Sequence, residues 1–478
     1  MAGPVLAGGR LGGPGQGTPL APATVDALAA HLDGMRRGAR VPALSAAVGR
    51  AGRVAWAAVS GGPTPELSFR IGSITKPMVA VAVLRLVEAG RVALSDPVGR
   101  HLPDAPVPGA TLRHLLSHTS GLPAEPAGPW WERHGYGSWA DLVAADLPAL
   151  WEPGDRYHYS NVGFAVLGRL VEELLGRPWD EVLREELWEP LGMRSTGRVP
   201  AGPAAAGFAV HPHADLVHAE PVAPYGAMGP AGEVWSTPSD LVRFGLWLVG
   251  AGPVDLAPAV ADAVLSVATR RSMAVPRVVV DDAGPAGGPW TTAHGLGARV
   301  RQDGALRTVG HSGSVPGFTA DLRADVVTGD VVAVCGSSTG GFGDGAGLLA
   351  VLQEHEAPQP LPVPGPGTDP ALAAELTGTW YWGPSPYTLS FDSGGRIVLR
   401  SQSETGRGSV FDRVTGAGWV GVEGGYWLGE RLRQDVRDGR TAALDVGTFH
   451  LTRSPYDPAT RVPGGLDGTG WRALPSAP

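Results

Sequence analysis

Residues 357–368, Ala-Pro-Gln-Pro-Leu-Pro-Val-Pro-Gly-Pro-Gly-Thr, constrain this chain more than any other stretch. Alternate prolines fix φ and remove backbone donors, so neither a helix nor a central strand can pass through, and the segment reads as a semi-extended linker. The chain must therefore fold as separate bodies on either side of it. The expected division is a flexible start over residues 1–22, a large domain over 23–356, the linker over 357–368, a small domain over 369–455 and a tail over 456–478. A length of 478 residues leaves ample room for full hydrophobic cores.

Past the linker, residues 376–382, 387–391, 396–401, 410–414, 418–423 and 443–451 alternate apolar and polar side chains between Gly or Asp turns. That pattern predicts a small antiparallel β-domain, barrel-like, with no catalytic constellation. The larger part mixes periods. Thr24 is placed to cap a helix through residue 34, and strands are expected at 41–48 and 54–59 around Gly49-Arg50-Ala51-Gly52-Arg53, then at 69–72. Helical periodicity follows at 78–87, 111–122, 164–175, 180–187 and 237–249, and strand patterns return at 296–300, 306–309, 320–324 and 331–336. The fold class is α/β in the α+β sense.

Charge narrows the partners. With 38 basic against 46 acidic residues the net charge is −8, and no run of Lys or Arg offers a grip on a phosphate backbone, so nucleic acid is not expected. Cys335 is the only cysteine and lies in an apolar run, which suits a small buried thiol. The first twenty residues lack a basic segment followed by an apolar one, and no window approaches the roughly 20 apolar residues of a membrane span, so a cytoplasmic chain is expected.

The chemistry concentrates in Phe69-Arg70-Ile71-Gly72-Ser73-Ile74-Thr75-Lys76-Pro77-Met78, which sets a hydroxyl and an amine three residues apart at the mouth of an apolar helix. Positions three apart share a helix face, and a lysine acts as a base once burial lowers its pKa. Pro77 lacks the N–H that would bond the Ser73 carbonyl, which places Ser73 at the helix entry with its own N–H free for a ligand. Alone, Ser-x-x-Lys is a weak pattern that reads first as a serine helix cap with a solvated lysine. Tyr159-Ser160-Asn161 offers a phenol for proton transfer and an amide for a carbonyl, or simply an asparagine cap. In Gly310-His311-Ser312-Gly313-Ser314-Val315-Pro316-Gly317 the glycines let an acyl group lie along a strand edge, although turn chemistry explains them too.

Other polar groups carry less. His114 and His118 have a zinc-ligand spacing but no third ligand, and His211, His213, Asp215 and His218 lie in a loop of undefined geometry, so no metal is expected. Trp130, Trp131 and His134 suit a pocket rim or a contact.

Ser73-x-x-Lys76, Tyr159-Ser160-Asn161 and His311-Ser312-Gly313, in that order, resemble the motifs of the class C β-lactamase-related serine hydrolases, the superfamily of penicillin-binding DD-peptidases, D-aminopeptidases and esterases. The resemblance spans residues 27–353. It is reinforced by Phe69-Arg70-Ile71-Gly72, by residues 114–122 and by Gly232-Glu233-Val234-Trp235-Ser236-Thr237-Pro238-Ser239-Asp240-Leu241. It implies an antiparallel sheet covered by helices, with a helical subdomain beside it. It also implies that Ser73 attacks an acyl carbonyl, that Lys76 with Tyr159 moves the proton, and that the N–H groups of Ser73 and Ser314 form an oxyanion hole. Asn161 would orient the acyl side, and His311, Ser312 and Gly313 would line the strand edge, with no cofactor or metal.

His311 stands where β-lactamases usually carry lysine, and a largely neutral imidazole is a poorer partner for a substrate carboxylate. The expectation is therefore an esterase or amidase acting on small-molecule substrates through an acyl-enzyme on Ser73. The alternatives are a β-lactamase or D-amino-acid peptidase with D-aminoacyl substrates, and a non-catalytic binding scaffold. Oligomeric state is not legible.

Overall fold

The structure, a computed structural model, describes residues 5–6, 19–280, 290–356, 369–392, 394–403, 406–414, 418–424 and 426–455. The chain forms two compact units, Met1–Gln359 and Pro360–Pro478. The expected linker at 357–368 and tail at 456–478 lie outside the described residues.

A nine-stranded antiparallel sheet organises the first unit. Its order is Val5–Leu6, Arg53–Ser60, Leu44–Arg50, Val331–Gly336, Phe318–Asp325, Leu306–Val315, Arg299–Asp303, Thr292–His294 and Val278–Val279. The centre joins the two ends of the unit, with Ala47 opposite Ala333. Side chains alternate across each strand, so Ala46, Val48, Val332 and Val334 face one side. There they form a core with Leu28 and Leu32 of the helix Pro22–Ala39 and with Leu348, Leu349 and Leu352 of the helix Ala346–His355. On the opposite side the helix Pro238–Leu248 approaches closely because small residues meet it. A Cβ on Gly49 would lie 2.6 Å from Val242 Cγ1, and one on Gly245 would lie 2.5 Å from Val331 Cγ1.

Several sequence expectations shift. The first helix starts at Pro22 with Ala21 at its cap, so Thr24 is inside it and buried; its hydroxyl donates to Glu356 at 2.7 Å instead of capping. The strand expected to stop at residue 309 runs on to Val315, because Gly310 and Gly313 stay in the ladder opposite Arg323 and Ala320. Leu296 falls between strands. Helix Leu112–Leu116 is much shorter than 111–122, and His118 beyond it turns to φ 57°. Cys335 is buried, as expected.

The second unit is a closed barrel of eight strands between Gly378 and Thr452. Trp380, Leu389, Leu399, Phe411, Leu444 and Leu451 fill its interior, so it is a packed core. Arg431–Arg437 is a strand that its charged side chains hid, and residues 443–451 are not one strand but the hairpin of Arg440–Val446 and Phe449–Thr452, turning at Gly447 with φ 62°. Among the described residues no helix is long and apolar enough to cross a membrane.

Leu28 is fully buried between helix and sheet. Leu28→Ala should lower the unfolding free energy by about 2–5 kcal/mol, the range for truncating a packed leucine, as read from the urea transition midpoint.

Candidate active site

The turn that presents Ser73 is held on both sides. Phe69 and Arg70 pair with Ser236 and Trp235, and the Ile71 N–H donates to the Val234 carbonyl at 3.0 Å. Gly72, at φ 52°, swings the chain into the short 3-10 turn Gly72–Ile74, and the Thr75 hydroxyl donates back to the Gly72 carbonyl at 2.8 Å. From there the helix Thr75–Glu88 runs into the core with residues 75–84 all buried. The strand Leu306–Val315 lies directly against this turn. A Cβ on Gly313 would sit 1.9 Å from the Ile71 carbonyl oxygen and 2.9 Å from the Ser73 nitrogen, and one on Gly72 would sit 2.8 Å from the Ser314 nitrogen. Only glycine permits that approach, and it sets the backbone of Ser73 beside that of Ser314.

Lys76 has no exposed surface, yet its amine is fully engaged. It donates to Ser73 Oγ at 2.8 Å, to Asn161 Oδ1 at 2.6 Å and to the Ala231 carbonyl at 2.7 Å. Burial lowers its pKa from 10.5 to about 7, against the opposing pull of Glu125 and Glu132. The ammonium is disfavoured because the protein replaces water around it with few compensating charges.

Tyr159 reaches the same oxygen, its hydroxyl donating to Ser73 Oγ at 2.8 Å. Burial pushes its pKa up, so it stays a phenol. Its ring also lies 4.9 Å from the Lys76 nitrogen. Asn161 is not the helix cap. Ser160 takes that position, accepting from the Gly163 N–H, and Asn161 opens the helix Asn161–Leu175 with its side chain free to bridge Lys76 and Glu125.

The third motif divides by strand alternation. Ser312 accepts from Arg299 Nη1 at 3.2 Å, and Ser314 is exposed. The His311 imidazole is buried instead of lining an open edge; its Nδ1 lies 2.6 Å from the Ser312 carbonyl, and burial holds it neutral. It joins His118 and His294 in a buried group with one ring nitrogen of each within 4.8 Å of the others. Among the described residues no other such group forms, so the pair at His114 and His118 and the segment at His211, His213, Asp215 and His218 do not gather as ligands. His114 instead closes a capping box with Thr111.

Sequence reasoning placed Ser73, Lys76, Tyr159 and Asn161 together and missed four partners. The Ala231 carbonyl is backbone and has no sequence signature. Glu125 is exposed and accepts from Asn161 and from Trp131, the buried member of the Trp130-Trp131 pair. Arg299 comes from a strand expected at 296–300 and found at Arg299–Asp303, and His294 from the short strand Thr292–His294, which was not expected.

A family profile described as Beta-lactamase matches residues 25–355. The chain belongs to the beta-lactamase family. As a beta-lactamase-family chain it is 41% identical over 165 residues to the esterase EstB of Burkholderia gladioli, covering 30% of this chain and 41% of that one. It is 34% identical over 198 residues to penicillin-binding protein 4 of Amycolatopsis lactamdurans, covering 38% and 50%. It thus spans half or less of the length of these curated relatives. Its fold matches a D-stereospecific amidohydrolase from Streptomyces sp. at a TM-score of 0.58 and 25% identity, covering 70% of this chain and 99% of that one. Residues 369–453 match a domain of unknown function (DUF7586).

Gly313→Ala should push the strand off the Ser73 turn. The expected result is a loss of about 1–3 kcal/mol in stability from overpacking, together with slower modification of Ser73 by a fluorophosphonate. An unchanged labelling rate would show that the close approach is dispensable.

Proposed function

We propose that this chain is a serine hydrolase that cleaves small ester or amide bonds through an acyl-enzyme on Ser73, with residues 23–356 as its catalytic domain. One observation carries the reading: the Ser73 hydroxyl lies 2.8 Å from the Lys76 amine and 2.8 Å from the Tyr159 hydroxyl, and burial strips Lys76 of water. A base must be neutral to accept a proton, and an amine near pKa 7 is about half neutral at neutral pH. Lys76 therefore takes the Ser73 proton as the oxygen attacks the acyl carbonyl. Tyr159, held as a phenol, passes a proton towards the leaving group and is refilled from Lys76. The oxyanion faces the N–H groups of Ser73 and Ser314. Water then repeats the cycle on the acyl-enzyme with the same base.

The geometry also favours a second reading, hydrolysis of D-aminoacyl amides. Glu125 carries an exposed carboxylate hydrogen-bonded to Asn161, itself bonded to Lys76, and such a group suits the ammonium of an aminoacyl substrate. The likeness to a D-stereospecific amidohydrolase supports this reading. The neutral His311 speaks against recognition of a carboxylate at that position, whereas Arg299 beside Ser312 supplies a cation one strand away. A panel of nitrophenyl esters, D- and L-aminoacyl amides and a chromogenic cephalosporin separates these substrates.

Wild type should label with a fluorophosphonate, and Ser73→Ala should not; labelling that persists would remove Ser73 as nucleophile. Tyr159→Phe should lower kcat by about 10²-fold or more. The pH dependence has a defined sign. Because burial depresses the Lys76 pKa from 10.5 to about 7, kcat/KM should rise with pH through about 7 and then level off. A profile flat from about pH 5 to pH 9 would exclude Lys76 as the base.

A further inference from the structure

The loop that follows helix Leu112–Leu116 grips Tyr159 from one residue. His118 is 1% exposed and sits at φ 57°, a left-handed backbone that a non-glycine residue adopts only where its surroundings hold it there. From that conformation it holds three points of the neighbouring segment. Its carbonyl accepts the His158 N–H at 2.8 Å, and its Nδ1 accepts the Ser160 N–H at 3.0 Å. Its ring stacks on the Tyr159 ring, centroids 4.3 Å apart and planes 27° from parallel. Tyr159 and the residues on both sides of it are thus fixed together.

His294 backs this clamp. Its ring meets His118 edge to face at 4.8 Å and Tyr159 at 6.3 Å, and His311 follows at 5.5 Å from His294. The hydrogen bonds assign tautomers. Because His118 Nδ1 accepts, the neutral ring carries its proton on Nε2, whereas His311 Nδ1 donates to the Ser312 carbonyl and leaves Nε2 as a lone pair. A metal would need a lone pair from each ring, and the one on His118 is already engaged by Ser160. The trio is therefore arranged as packed neutral rings. Burial keeps all three uncharged, and the positive groups around them, Lys76, Arg299 and Arg301, act in the same direction.

We propose that His118, braced by His294, is the positioning residue that holds the Tyr159 phenol at Ser73 Oγ. The proposal rests on the serine-hydrolase reading above. It differs from a generic packing role because its effect must pass through one hydroxyl.

Two variants divide the clamp. His118→Asn tolerates the left-handed backbone and offers Oδ1 in place of Nδ1, but lacks the stacking ring; His118→Phe keeps a ring and loses the acceptor. Each should lower kcat by about 10-fold to 10²-fold with little change in KM, the scale on which small misplacements cost rate. In a Tyr159→Phe background either change should alter kcat by less than about 2-fold, because the group being positioned is gone. Melting temperatures identify folded variants, and should His118→Phe not fold, His118→Asn carries the same comparison. Full additive losses in the Tyr159→Phe background, or wild-type turnover in the folded variants, would overturn the positioning role while Ser73-dependent labelling leaves the hydrolase reading standing. Labelling and turnover that survive Ser73→Ala would instead sink that reading. Stoichiometric zinc uptake abolished by His294→Phe would overturn the tautomer assignment and the proposal with it.

Discussion

The arrangement around Ser73 depends on keeping the Lys76 amine out of water while giving each of its hydrogens an acceptor. Removing an ammonium from solvent costs several kcal/mol, and an unpartnered one would not persist in a core. Here a hydroxyl, an amide oxygen and a backbone carbonyl converge on one nitrogen from three separate parts of the chain. The desolvation that remains uncompensated appears as a pKa depressed to about 7, which leaves the amine partly neutral near neutral pH.

Meeting that constraint dictates much of the surrounding architecture. The Ser73 turn must sit against a sheet strand, which requires Gly72 and Gly313 at their point of closest approach. The carbonyl of Ala231 must reach Lys76, and the segment behind it pairs with Phe69–Arg70 to keep it there. Asn161 must leave the cap position to Ser160 so that its own amide can bridge the amine and Glu125. At its centre the sheet is tied by the pairing of Leu44–Arg50 with Val331–Gly336, and helices from near both ends of the unit pack on one face.

Legibility followed the range of the interactions. Ser73 and Lys76 are a local pair, and helical spacing alone predicts their contact. Tyr159 and Asn161 were legible because their side chains suit the chemistry and occur in an order resembling a known family. The strand through Gly310 and Gly313 looked broken because glycine usually punctuates strands, and only the ladder to Arg323 and Ala320 carries it through. In the barrel, Arg431–Arg437 was missed since a strand with few buried side chains lacks a clear apolar alternation.

What the sequence determined by itself was the mixed α and β class of the first unit, the all-β class of the second, and the spacing that brings Ser73 and Lys76 together at a helix entry. Tertiary structure decided the rest. Only folding removes water from Lys76, sets the Ala231 carbonyl on its amine, and buries His118, His294 and His311 around Tyr159. The physical reason is that propensity and spacing are properties of neighbouring residues, whereas desolvation and the convergence of polar groups depend on segments distant in the chain, Asn161 and Ala231 lying 85 and 155 residues from Lys76. The sequence names the polar groups, and the packing brings them together and sets their protonation.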